Sequence, residues 1–285
     1  MSILITMLQV NKVIILLLIP LLFLLLASPA QAIIMVGFGG GCSGNNFSGD
    51  ANCKALYRFE SGALGTDSKG NNTLSLANTP VANTTDYREG TSSVDLESSD
   101  QDFLYIHDSN LDSGFPLKYG DTNKKISITG WFKLESDTGA KEEIFVKFDG
   151  TNNKRSLRVY LSPSTLCFGI GYSNGTSYET ICQTATVSIG VWYHFGFTFQ
   201  DSDRSYRMYL WNASSNSLVE NTTGNTTNNI SITDAPVCIG ALCEGTASPP
   251  TPFQFFDGLI DEVVIFNDIL STSEIDQIRN GCYAP

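Results

Sequence analysis

Positive charge is scarce in this 285-residue chain: 17 Lys and Arg stand against 29 Asp and Glu, a formal net charge of −12. A chain so poor in cations cannot neutralise a run of phosphates, which excludes a nucleic-acid backbone binder. Histidine is rarer still, limited to His107 and His194, so zinc and histidine-based catalysis have little to draw on. No nucleophile elbow, HExxH pair or phosphate loop occurs. No apolar run reaches the roughly 20 residues of a membrane span; the longest covers residues 13–26. What is present is an apolar fraction of 42%, which suits a globular chain rather than a disordered one.

The run 13–26 follows a single charge, Lys12, and precedes Ala30-Gln31-Ala32, a small-x-small cleavage pattern. Residues 1–32 therefore read as a cleaved signal peptide. The membrane enters only if that segment stays as an anchor, and a lipid-modified Cys42 is a further alternative. Export makes a secreted or cell-surface location, and disulfides, the expectation for the seven cysteines. Residues 33–52 are rich in Gly, Ser and Asn and read as a polar leader that forms no core. Residues 53–285 are the domain.

Within it, short β-rich runs alternate with turn signals, among them 55–59, 103–106, 126–134, 143–148, 156–161, 166–172, 177–184, 192–199, 205–211 and 254–266. This spacing predicts an all-β antiparallel sandwich. In 126–134, Ile126, Ile128, Phe132 and Leu134 share one face and Trp131 and Lys133 the other. In 191–199, Tyr193, Phe195, Phe197 and Phe199 oppose Trp192, His194 and Thr198. One short C-terminal helix is expected after Ser271, with Glu274 completing a capping box and Gly281 the stop.

The Asn174-Gly175 turn sets a hairpin register that places Cys167 opposite Cys182, at a position where the Cα atoms are expected to lie far apart unless a bulge intervenes. Cys238 and Cys243 are close enough to close a tight loop. Cys53 and Cys282 open and close the domain, and a bond between them clamps its ends if first and last strands are neighbours. Cys42 is then the odd thiol, and Cys42–Cys53 the alternative.

Residues 256–267, FDGLIDEVVIFN, followed by Ile269-Leu270-Ser271 and Glu274-Ile275, resemble the closing signature of laminin G-like, concanavalin A-like lectin (jelly-roll) domains. The stretches 55–62, 126–134 and 190–212 match in order. The resemblance implies a jelly roll of two stacked antiparallel sheets, and a non-catalytic binding module as its usual use. Glycoside hydrolases of that fold carry alternating acids on one strand. Here Asp261-Glu262 and Glu142-Glu143 are adjacent and point to opposite faces, and Asp95 with Glu97 has no third acid on its strand. The loop Asp67-Ser68-Lys69-Gly70-Asn71 resembles the family's loop after the first strand, which implies a calcium site shared by Asp67 and Asp261.

The faces supply the ligand expectation. Trp131, Trp192, His194, Arg207, Tyr209 and Trp211 fall opposite the apolar faces. As neighbours they form an aromatic and polar stripe on which a glycan stacks, or a second small core if loops cover them. Asn-x-Ser/Thr sequons, candidates for glycosylation in a eukaryotic secretory pathway, begin at Asn46, Asn71, Asn83, Asn174, Asn212, Asn221, Asn225 and Asn229, four of the eight in the polar loop 212–231. The expected function is recognition of carbohydrate or an extracellular surface partner. A structural or adhesive component without a small ligand is the alternative, and an enzyme of the same fold ranks below both.

Overall fold

The computed structural model describes Cys42 and residues 44–285; the expected signal segment lies outside the described residues. The strands, in chain order, are β1 (Cys53–Tyr57), β2 (Ser75–Ala77), β3 (Val81–Asn83), β4 (Ser93–Leu96), β5 (Phe103–Ile106), β6 (Lys125–Leu134), β7 (Glu142–Asp149), β8 (Lys154–Leu161) and β9 (Thr165–Tyr172). They continue as β10 (Ser177–Thr186), β11 (Trp192–Gln200), β12 (Ser205–Asn212), β13 (Ser217–Asn225), β14 (Val237–Ile239), β15 (Leu242–Glu244), β16 (Thr251–Phe253) and β17 (Gly258–Phe266). One α-helix among the described residues, α1 (Thr272–Arg279), follows. None there is long and apolar enough to cross a membrane.

An eight-stranded sheet has the order β13-β12-β11-β6-β17-β4-β3, with β1 added to the far half of β17. A seven-stranded sheet runs β10-β9-β8-β7-β14-β5-β2. All pairings are antiparallel, and the two sheets make the jelly-roll sandwich. Strict alternation sends Ile126, Ile128, Phe132, Phe195 and Phe199 inward, each fully buried. Phe168 of one sheet meets Phe197 of the other with ring centroids 4.5 Å apart. Lys147 is also buried; its ammonium donates to Asp108 Oδ1 at 2.6 Å and to the carbonyls of Thr233 and Ala235.

Ser271 caps α1 in a full capping box. Ile275 and Ile278 bury beneath it against Leu56, Tyr209 and Val264. The leader is shorter than expected, because Phe47 is buried, stacks on Tyr283 at 5.2 Å, and belongs to the same cluster. The Asn46 N–H also donates to the Tyr283 carbonyl at 2.8 Å. Asn45 donates to Glu89 and the Ile278 carbonyl, and Lys69 donates to the Phe47 and Ser48 carbonyls, so polar contacts join Phe47 in folding residues 45–52 onto the domain.

Cys167 and Cys182 pair in register and form a disulfide, with Cα atoms 4.0 Å apart and a register shift just beyond Cys182. Cys238 and Cys243 form a second. The expected Cys53–Cys282 clamp does not form: Cys53 is a buried free thiol. Its premise holds, since β1 and β17 are paired. But the chain runs on through α1 before Cys282, which is disulfide-bonded elsewhere, as is Cys42. Cys42 is therefore neither spare nor bonded to Cys53. The polar stretch expected as loop 212–231 contains β13, an edge strand hydrogen-bonded to β12.

Candidate functional site

Register brings the expected stripe together. Asp261 pairs with Trp131, Trp131 with His194, and His194 with Trp211, one row across β17, β6, β11 and β12. Lys133 and Trp192 form the next row. The stripe is nevertheless closed. Trp131 is 3% exposed, His194 1% and Tyr209 0%. Of the two expectations for this stripe, an open sugar platform and a second small core under a cover, the covered core is the one that forms.

Two elements cover it. Residues 86–89 lie across the row as a strap. Asp86 Oδ1 accepts from Trp192 Nε1 at 2.6 Å, and Oδ2 accepts from Lys133 Nζ at 2.5 Å. The Arg88 guanidinium sits 4.3 Å from the Trp131 ring centroid, and the N–H groups of Arg88 and Glu89 donate to Asp261 Oδ2 at 2.7 and 3.1 Å. The other cover is α1. Ile275 fills the space over Gly196, Tyr209 donates to Asp276, and Arg279 lies 3.7 Å from the Trp211 ring centroid.

Burial, and then the positive fields of Arg279 and Arg88, push the His194 imidazole down to about 3, so it is neutral, and neither ring nitrogen has a hydrogen-bond partner. A base sealed in this way has no path to a substrate proton. Burial pushes the Asp261 carboxyl up to about 7 and Glu262 up to about 8. Glu262 sits at a bulge with φ +47° and pairs with Arg58 at 2.9 Å.

The residues implied for calcium do not fit a hard cation. Asp67 Oδ1 accepts from the N–H groups of Leu56 and Lys69, and Oδ2 from the backbone and side-chain amides of Asn72. Asp261 spends one oxygen on the strap and buries the other. Amide donors occupy the lone pairs that a calcium ion needs.

Sequence reading set Asp95 beside Glu97 and missed the third acid, Glu135. Asp95, Glu97 and Glu135 bring oxygens within 4.8 Å of one another. Leu96 and Leu134 both pair with Gly258, so Glu97 and Glu135 follow aligned residues on two strands. No one-strand motif can show that meeting. Partial burial first, then neighbouring carboxylates, hold all three above the usual carboxylate range.

Of the expected stripe, Arg207 and Trp211 are half-buried rather than closed, and Arg207 borders a groove. Arg207 pairs with Thr198 and Thr223 in register and donates to Asn221. A groove of about 870 Å³ runs between these strands and the start of α1, lined by Thr198, Arg207, Thr223, Asn225, Ser271 and Ser273 among others. Its walls mix hydroxyls, the Asn225 amide and one guanidinium with the Tyr206 ring and the apolar Ile269 and Leu270.

No curated protein matches the sequence. Among solved structures, the binding domain of botulinum neurotoxin serotype D superposes with a TM-score of 0.57 at 14% identity, covering 81% of this chain and 52% of its own. The binding domain of botulinum neurotoxin DC, solved in complex with rat synaptotagmin II, gives 0.55 at 12%, covering 80% and 51%. A botulinum neurotoxin type C structure, described as dependent on interaction with two ganglioside molecules for cell entry, gives 0.55 at 11%, covering 82% and 52%. The chain spans about half the length of these structures, and at such identities the likeness is one of fold. The family model described as the concanavalin A-like lectin/glucanases superfamily matches residues 99–276, more than half of the sequence, and the chain belongs to that superfamily.

Proposed function

We propose that this protein is a non-catalytic, extracytoplasmic carbohydrate-binding module that takes saccharide in the Arg207 groove. The observation that carries this reading is the open groove itself. It lies at the less covered end of the expected face, and its hydroxyls, amide and guanidinium beside the Tyr206 ring suit a polyhydroxylated ligand. The ganglioside dependence described for a structure of like fold supports the ligand class. The disulfides support an oxidising compartment. The sealed state of His194 and Asp261 supports a binding rather than a catalytic role. The test is a printed array of neutral, sialylated and sulfated oligosaccharides, probed with the purified protein and with Arg207→Ala. Saccharide binding that weakens by about ten-fold or more in the variant is expected. An array with no response, together with self-association in light scattering, would favour the structural or adhesive reading. Polysaccharide turnover lost in Glu97→Gln would favour an enzyme built on the Asp95, Glu97 and Glu135 group. A protein partner is the second reading, favoured by the synaptotagmin complex of a neighbour in fold.

A further inference from the structure

Tyr119 is the most exposed of the large apolar side chains, at 69%. Leaving such a ring in water brings no folding benefit. Yet its backbone is held firmly. The Tyr119 N–H donates to Asp108 Oδ1 at 3.1 Å, and that carboxylate is fixed in turn by buried Lys147. Asp121 ties the loop together: its carboxylate accepts from the N–H groups of Leu117 at 2.9 Å and Asn123 at 2.8 Å, while its own N–H donates to the Lys118 carbonyl at 2.8 Å. Gly120 supplies a φ of +89°, which a side-chain-bearing residue adopts only under strain. The ring is therefore presented by a fixed loop, so little ordering entropy remains to be lost on binding.

Two clefts meet at this residue. One of about 620 Å³ is shared with Lys124, Ser173, Asn174 and residues 229–232, and one of about 240 Å³ with residues 113–115 and Lys118. Neither shares a lining residue with the Arg207 groove. The larger cleft offers Thr122 and Asn174, and the carbonyl oxygen of Asn229, whose amide nitrogen already donates to the Asp201 backbone. Its one cation is paired, with Lys124 facing Asp201 at 3.5 Å, while the Asp121 carboxylate accepts backbone N–H groups and keeps its negative charge.

We infer that the Tyr119 cleft is a second saccharide site, separate from the Arg207 groove, in which an uncharged sugar ring stacks its C–H face on Tyr119 and bonds its hydroxyls to Thr122, Asn174 and Asn229. The inference rests on the carbohydrate-binding reading and adds to it a site and a ligand class. An aromatic ring beside amides, hydroxyls and the Asp121 carboxylate, with its cation already paired, matches a neutral hexose or pentose unit better than an anionic uronate or sulfated sugar. Two sites on one module would also raise avidity for a polymer that reaches both.

The experiment uses the whole chain and neutral cello-, xylo-, manno- and laminari-oligosaccharides, with affinity read by calorimetry and contact by saturation-transfer NMR. Tyr119→Ala is expected to weaken binding of at least one of them by about ten-fold or more, with an unchanged melting temperature because the ring is exposed. Tyr119→Trp is expected to keep or strengthen it. Tyr178→Ala, an exposed tyrosine outside both clefts, serves as the control and is expected to bind like the parent. Neutral saccharides bound with full affinity by Tyr119→Ala would overturn this site. If the same binding is lost in Arg207→Ala, the groove reading survives that result. A parent protein that binds no saccharide of any class overturns both.

Discussion

The guanidinium of Arg88 lies 4.3 Å from the ring centroid of Trp131. This contact is the middle of the strap that turns an outer sheet face into an interior. Beside it, Asp86 bonds both Trp192 and Lys133, and Asp261 receives the strap's backbone amides. The eight-stranded sheet is consequently packed on both faces over its centre.

Asp86→Ala removes the acceptor for Trp192 and the partner of Lys133. Its side chain is 38% exposed, so screening holds the expected loss to about 1–2 kcal/mol. Water then reaches Trp192 and Trp131, and the tryptophan emission shifts to the red. Urea unfolding and the emission spectrum check this; an unshifted spectrum at parental stability would show that the strap does not depend on Asp86.

Stability should fall as pH rises from about 6.5 to about 8, above the range in which His194, 6.5 when unfolded and about 3 in the fold, opposes the fall. Asp261 and Glu262 ionise at 3.8 and 4.5 when unfolded but at about 7 and about 8 in the fold. Over that window the native state holds protons that the unfolded chain has released, so each step up in pH favours unfolding. Asp261→Asn and Glu262→Gln should flatten the profile of unfolding free energy measured at a series of pH values. A parental profile that rises across the window contradicts the burial argument.

Chelation should leave the melting temperature where it is, because amide donors saturate Asp67 and occupy the strap-facing oxygen of Asp261. Differential scanning fluorimetry with and without EDTA reads this. A drop of several degrees that calcium reverses would assign a cation to Asp95, Glu97 and Glu135 instead.

Cys53 should be silent toward thiol reagents in the native protein. Burial pushes its thiol up to about 12, and only the thiolate reacts. One thiol should appear on unfolding in guanidinium without reductant. Rapid labelling of the native chain would mean that β1 opens.

Gly196→Ala should loosen α1. A Cβ there would stand 3.1 Å from two Ile275 carbons and 3.4 Å from the Tyr209 Cβ, an overpacking that costs about 1–3 kcal/mol. Ile275→Val in the same chain should recover part of that loss. Additive destabilisation in the double variant would place the strain elsewhere.

Much of the sandwich was legible because its central strands obey period two: Ile126 to Leu134 and Tyr193 to Phe199 sort their own faces. The Asn174-Gly175 turn set a register that carried Cys167 to Cys182, and Ser271 with Glu274 marked the helix start. Less legible was everything decided by partners far along the chain. The strand β13 is a polar edge paired on one side only, so it lacks an apolar alternation. The strap sequence Asp86-Tyr87-Arg88-Glu89 reads as solvent loop until Trp131, Trp192 and Asp261 are seen beneath it. Phe47 was hidden among glycines and asparagines. Pattern placed Trp131, His194 and Tyr209 side by side, but whether that face stayed open depended on Ile275 and Arg88, which no local rule connects to it. Arg207 alone among the expected ligand residues lines an open groove, and Tyr119 was passed over because a lone loop aromatic carries no periodic signal.

The stacking of Phe47 on Tyr283, reinforced by the Asn46 to Tyr283 hydrogen bond, has a mechanical meaning. Entry and exit of the folded unit share one doorway. The two ends of the described unit are thus held side by side near α1. Such a unit can hang from a longer polymer as a pendant, or be spliced into a loop of another domain, with little disturbance to its host's path.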